Sequence, residues 1–209
     1  PNGVFIPEGE EWDAHALRSE LGVDDEGHLI VSVGRITRQK GHAYLVEAIP
    51  EVVKRHPKAV FALVGEGPLR DELAVKAHYL GIENAVRFLG TRDDVYALLS
   101  AADVFVLPSI SEGMPMALLE AMGMGAAVVA SNLEGIADVV EAGQHGLLVP
   151  PAEVKSLSVS IVRLLEDADL REKLSKNGRK LVLERYTVDR MCEAYQRLFL
   201  GLFPQEPSR

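Results

Sequence analysis

Two glutamates with seven residues between them, Glu112 and Glu120, stand on either side of a Gly-Met-Pro turn in Ser111-Glu112-Gly113-Met114-Pro115-Met116-Ala117-Leu118-Leu119-Glu120. The apolar run Val104 to Leu107, broken by Pro108, precedes this segment and Ala126 to Ala130 follows it, which predicts strand, turn, helix, strand. Pro115 suits the first helical position, where a missing N–H costs nothing. Backbone N–H groups around Gly113, Met114 and Met116 then point out of the helix start, where the dipole also favours an anion. Glu120 falls about 7.5 Å along that helix, past the anion position. A carboxylate beside an anion repels it unless something else occupies the carboxylate, and a pair of hydroxyls does so well. An anionic ligand with diols at both ends, such as a nucleoside diphosphate sugar, fits this pattern. The plain alternative is that Ser111 and Glu112 cap the helix and Glu120 stands in solvent.

A second cluster, Gly34-Arg35-Ile36-Thr37-Arg38-Gln39-Lys40-Gly41, follows the apolar strand Leu29 to Val33 and precedes a helix predicted from about His42 to Arg55. Turns from strand to helix are where doubly wound sheets bind ligands. Arg35 can make a forked contact to phosphate oxygens and Lys40 adds a point charge at the helix start. The alternative is ordinary surface basicity, against which stands the net charge of -9 over the whole chain.

The elements that must position these residues are read from apolar runs at Leu29–Val33, Val60–Val64, Ala85–Phe88, Val104–Leu107, Ala126–Ala130 and Gly146–Val149, with amphipathic stretches between them. The runs are continuous rather than alternating, so both sheet faces are covered. The fold class is α/β: a doubly wound parallel, Rossmann-like sheet. After Pro150-Pro151 only helices are predicted, at Val154–Glu166, Leu170–Arg185 and Val188 to about Leu202, with Thr187 capping the last. Met191, Tyr195, Leu198, Phe199 and Phe203 form an apolar stripe on that last helix, packed either on its own sheet or on another domain. The expected division is 1–28 as linker, 29–185 as the ligand-binding domain, 186–203 as the terminal helix and 204–209 as a frayed tail.

In this order and spacing, Gly34-Arg35 with Lys40-Gly41, Val64-Gly65-Glu66-Gly67-Pro68, Phe88-Leu89-Gly90, and Ser111-Glu112-Gly113 with Glu120-Ala121-Met122 resemble the donor-binding C-terminal half of retaining GT-B glycosyltransferases of family 4. The resemblance implies that Arg35 and Lys40 bind the diphosphate, Glu112 the donor sugar and Glu120 the ribose. It further implies that backbone from Gly113 through Met114, Pro115 and Met116 to Ala117 lines the site, and that Thr91 and Arg92 border the base. Catalytic roles fall to Arg35, Lys40 and Glu112, the donor is a UDP- or GDP-sugar, and no cofactor or metal is required. Two departures stand out: Met114 replaces a residue that is usually aromatic or large and apolar, and Gly123-Met124-Gly125 replaces an alanine-rich helix end. Gly123 costs a helix about 1 kcal/mol relative to alanine, so an early helix end is expected.

Such enzymes hold their substrates between two halves, and 209 residues fit about one to one and a half domains. The expectation is therefore a fragment that binds donor but transfers sugar poorly, its missing N-terminal half supplying the site for a glycan, lipid or small-molecule acceptor. Other readings are a non-catalytic nucleotide-sugar module or subunit that needs a partner chain, and a hydrolase using Glu112 and Glu120 as an acid and base pair. A nucleotide-sugar epimerase shares the architecture but is disfavoured by the Glu112 and Glu120 spacing.

Composition supports a packed, cytoplasmic domain, with the inner membrane surface open to the full-length protein: 47% hydrophobic, 25% charged, with no apolar run long enough to span a bilayer. The single cysteine, Cys192, excludes an internal disulfide and reads as a packed thiol. A pI near 5.2 argues against nucleic-acid binding. Asp167 and Asp169 read as helix caps rather than metal ligands, the six histidines lack metal spacing, and His42 reads as solvated at its helix start. Pro68 is expected to begin a helix after the Gly65-Glu66-Gly67 turn.

Overall fold

The computed structural model describes residues 2–7 and 12–202. Six strands form one sheet: β1 (His28–Val33), β2 (Ala59–Val64), β3 (Val86–Gly90), β4 (Val104–Leu107), β5 (Ala127–Ser131) and β6 (Leu147–Val149). Their order is β3-β2-β1-β4-β5-β6 and every pairing is parallel. The helices are α1 (Ala14–Glu20), α2 (His42–Arg55), α3 (Arg70–Tyr79), α4 (Val95–Ala101), α5 (Met116–Gly123), α6 (Glu134–Ala137), α7 (Val154–Glu166), α8 (Ala168–Arg185) and α9 (Val188–Leu202).

The period of two along each strand divides its apolar run between two cores. Ile30, Phe61, Leu63, Val104, Val106 and Val129 pack under α2, α3 and α7. Their neighbours Val31, Val60, Ala62, Phe105, Leu107 and Val128 pack under α4, α5 and α6. Each fully buried Leu, Ile or Phe in these layers contributes about 1.5–3 kcal/mol, which is what makes continuous apolar strands and helices on both faces one solution.

The predicted bounds of α2, α7 and α9 agree with the structure. Thr187 caps α9 through the Arg190 N–H, and Asp167 caps α8 through the Leu170 N–H. Three helix starts differ, the first being α8, which begins at Ala168 rather than Leu170. Pro115 keeps an extended ψ of 112° and precedes α5, which begins at Met116. Pro68 lies in a turn, and α3 begins at Arg70. Helix α5 ends at Gly123, where packing requires a glycine: a Cβ there would sit 2.2 Å from Cδ1 of Ile6. Within 1–28, α1 packs on α4, and Arg18 donates to Asp103 and to the carbonyls of Ala101 and Gly27.

Val4 is stitched to the α8–α9 junction, donating to the Tyr186 carbonyl at 2.8 Å and accepting from the Val188 N–H at 3.1 Å. Beyond that junction α9 leaves the sheet, and Tyr195, Leu198, Phe199 and Leu200 are 48–64% exposed. Cys192 is accordingly exposed rather than packed. Phe203 and the tail 204–209 lie outside the described residues. Among the described residues no helix is long and apolar enough to cross a membrane.

His42 also departs from expectation. It lies on the face of α2 that carries Leu45, Val46, Ile49 and Val52, and is buried with neither ring nitrogen partnered among the described residues. Burial, with the charge of Lys40 nearby, pushes its pKa down to about 4. Between that value and the ordinary 6.5 the unfolded chain binds a proton the folded chain refuses, so this contribution to stability is intact above pH 6.5 and falls away as pH drops toward 4. The loss is about 3 kcal/mol, visible as a fall in urea midpoint that the His42→Leu variant lacks. Gly41, at φ +69°, leaves no room for a side chain: its Cβ would lie 1.9 Å from the Pro108 carbonyl oxygen. Gly41→Ala should therefore destabilise the fold by about 2–4 kcal/mol in the same titration.

Candidate functional site

In this strand order, β1 and β4 are neighbours from which the chain departs toward opposite edges, and the crevice beyond their carboxyl ends is where such sheets bind ligands. Two loops meet there, 34–41 after β1 and 108–115 after β4. The Ile110 N–H donates to the Gln39 carbonyl at 2.9 Å and the Gln39 side-chain amide to the Ser111 carbonyl at 3.1 Å. On the other flank, the Gly34 N–H donates to Val64 and the Ile36 N–H to Glu66, both at 2.9 Å. These backbone bonds set where the side chains of the two loops begin.

Lys40 and Glu112, 72 residues apart, form an ion pair of 2.5 Å between Nζ and Oε1. The Ser109 hydroxyl donates to the same Oε1 at 2.8 Å. The Glu112 side chain is only 8% exposed, so an unpartnered carboxylate would be costly there and the two donors offset its desolvation. Oε2 has no partner among the described residues. Lys40 has three N–H donors and gives one to Glu112. Arg35, exposed on the same loop, has no ion pair among the described residues, and Arg38 is likewise exposed.

Beside this pair, α5 begins with no side-chain cap. The N–H groups of Gly113, Met114, Met116 and Ala117 donate to nothing among the described residues, so they remain available to an anion. Ser111 and Glu112 do not cap the helix. Gly135, at the start of α6, holds the loop from behind: a Cβ there would lie 1.6 Å from the Gly113 carbonyl oxygen. About one turn along α5, Glu120 is half-buried without a cation or hydrogen-bond partner among the described residues, and burial pushes its carboxyl pKa up. Burial and the nearby Glu120 charge raise the hydroxyl of Tyr96, on α4.

Thus Arg35, Lys40, Glu112 and the residues from Gly113 to Ala117 converge on the crevice, with Glu120 on the same helix. Thr91 and Arg92 stand apart, after edge strand β3. Arg92 is spent on its own neighbours, at 2.7 Å to each Asp94 oxygen and 2.9 Å to Glu20, which hold its pKa above the usual range. Met114 faces the N-terminal segment, its sulfur accepting from the Asn2 N–H at 3.3 Å. Ser109 and Gly135 were not anticipated from sequence, although a serine directly after the Pro that ends β4 was the available signal for the first. A separate groove of about 360 Å³, lined by Gly22, Lys58, Asn84 and Arg87, lies at the opposite ends of β2 and β3. Lys58 is paired there with Asp24 and Glu26. Among the described residues no three His, Cys, Asp or Glu side chains are grouped to hold a metal ion.

Known proteins resemble this chain in sequence and in fold. An uncharacterized glycosyltransferase of Methanocaldococcus jannaschii is 35% identical over 85% of this chain and 46% of its own length. The structure of Anabaena HepE in complex with UDP and glucose superposes with a TM-score of 0.84 at 28% identity, over 90% of this chain and 52% of that one. The C-terminal domain of a glycosyl transferase group 1 family protein from Francisella tularensis gives a TM-score of 0.75 at 26% identity, over 88% of this chain and 97% of that domain. The chain spans about half the length of the curated relatives it matches. Its sheet and flanking helices have the Rossmann-like build of GT-B glycosyltransferases. The family model described as "Glycosyl transferases group 1" matches residues 13–181, which contain all six strands and both loops of the crevice, and the chain belongs to that family.

Proposed function

We propose that this chain is the donor-binding half of a retaining glycosyltransferase that moves a hexose from a nucleoside diphosphate sugar to an acceptor. The observation that carries the reading is the convergence of Arg35, Lys40 and an uncapped helix start on one crevice, with Glu112 fixed beside them. Arg35 and Lys40 meet the diphosphate oxygens, and the N–H groups from Gly113 to Ala117 point at the same charge. As the anomeric carbon–oxygen bond breaks toward an oxocarbenium-like state, negative charge grows on the departing diphosphate. Preorganised donors placed where that charge develops lower the barrier. The cations of this domain offset the diphosphate charge, so the chemistry assigned to it needs no metal.

Glu112 accepts donor-sugar hydroxyls at Oε2, and Glu120, half-buried and unpaired among the described residues, accepts the ribose diol. The complex of HepE with UDP and glucose favours UDP over GDP as the nucleotide here. The residues after Gly90 border the base through their backbone, since the Arg92 guanidinium is engaged with Asp94 and Glu20. The acceptor site belongs to a second half, against which α9 presents its exposed Tyr195, Leu198, Phe199 and Leu200, and the chain by itself binds donor without transferring efficiently. Removing a charged hydrogen-bond donor from a phosphate costs about 1.5–3 kcal/mol. Calorimetric titration with UDP should therefore show Arg35→Ala and Lys40→Ala each binding about 10- to 100-fold more weakly, and unchanged affinity in both variants would refute the assignment.

A further inference from the structure

We infer that Ser109 is a positioning residue of the site: together with Lys40 it saturates Oε1 of Glu112 and so leaves Oε2 as the fixed acceptor for a donor-sugar hydroxyl. The inference rests on the nucleotide-sugar reading above and extends it to a residue outside the ligand-facing set. Ser109 is fully buried, and its hydroxyl makes one contact among the described residues, the 2.8 Å bond to Oε1. Its backbone is held in turn, because Gly41 closes on the preceding Pro108 carbonyl.

A carboxylate oxygen has two lone-pair directions. On Oε1 these are taken by the Ser109 hydroxyl and the Lys40 ammonium. The remaining acceptor capacity of Glu112 lies on Oε2, directed away from its two anchors. The two anchors are not equivalent. Lys40 is also the cation that a diphosphate recruits, so its hold on Glu112 loosens when the ligand arrives. Ser109 bears no charge and is sealed from the ligand, so its hold persists through binding. Without it, a glutamate with three rotatable bonds would be tethered only by a lysine drawn toward phosphate.

The test is calorimetric titration of this chain with two probe pairs, UDP with UDP-glucose and GDP with GDP-mannose, on wild type, Ser109→Ala, Glu112→Gln and the double variant. For the pair that wild type binds, Ser109→Ala should weaken the sugar nucleotide about tenfold and the bare nucleotide less than twofold. The double variant should bind the sugar nucleotide within twofold of Glu112→Gln alone, because Ser109 acts through Glu112. Equal losses for nucleotide and sugar nucleotide would assign Ser109 to loop architecture and overturn the inference. So would an unchanged sugar-nucleotide affinity, or losses that multiply in the double variant. Wild type binding neither pair would overturn the nucleotide-sugar reading itself, and the inference with it.

Discussion

Gly41 carries no side chain, and the Pro108 carbonyl oxygen fills the space where one would begin. That close approach decides how near the loop after β1 can come to the loop after β4, and so whether a residue of one can touch a residue of the other. Given it, Lys40 reaches Glu112 and the Gln39 backbone pairs with Ile110. The left-handed φ of +69° at the same residue lets α2 start immediately afterwards. One glycine thus meets two demands, a contact and a turn, at the point where the sheet reverses its winding order.

The two carboxylates of the crevice are kept in different electrostatic states by their surroundings. Glu112 is nearly buried, yet a cation and a hydroxyl hold it. Glu120 is half-buried with no such help among the described residues, and its pKa rises. A group already satisfied by the protein acts as a rigid acceptor of defined direction, whereas an unsatisfied one gains most when a ligand supplies the missing donors. Arg35, Arg38 and Lys40 place three cations on the loop after β1, in a chain of net charge -9.

The central strands β1, β2, β4 and β5 were legible because they are covered on both faces and read as nearly unbroken apolar runs, as Val104–Leu107 does with identical bounds in sequence and structure. The helix over His42–Arg55 was equally legible from its amphipathic period. In the crevice, Arg35, Lys40, Glu112 and Glu120 were visible because each is charged and sits at a characteristic distance from a glycine or proline. What escaped depends on contacts made at long range. Nothing local distinguishes Ser109 from any serine after a proline until Glu112 folds onto it. Gly135 has meaning only against the Gly113 carbonyl, and His42 is buried by elements that arrive later in the chain. Cys192 looked packed because its helix has an apolar stripe, and a stripe does not say which body covers it.

The Val4 stitch has a mechanical reading. Segment 2–7 touches the crevice helix region at both ends, with the Asn2 N–H on Met114 before α5 and Ile6 against Gly123 at its close, while Val4 clips the segment to the start of α9. A displacement of α9 that keeps the Val4 bonds intact would therefore draw segment 2–7 with it, and through that segment pull on Gly123 and on the loop ahead of α5. Helix α5 and the exposed terminal helix are thus two arms joined to one short segment.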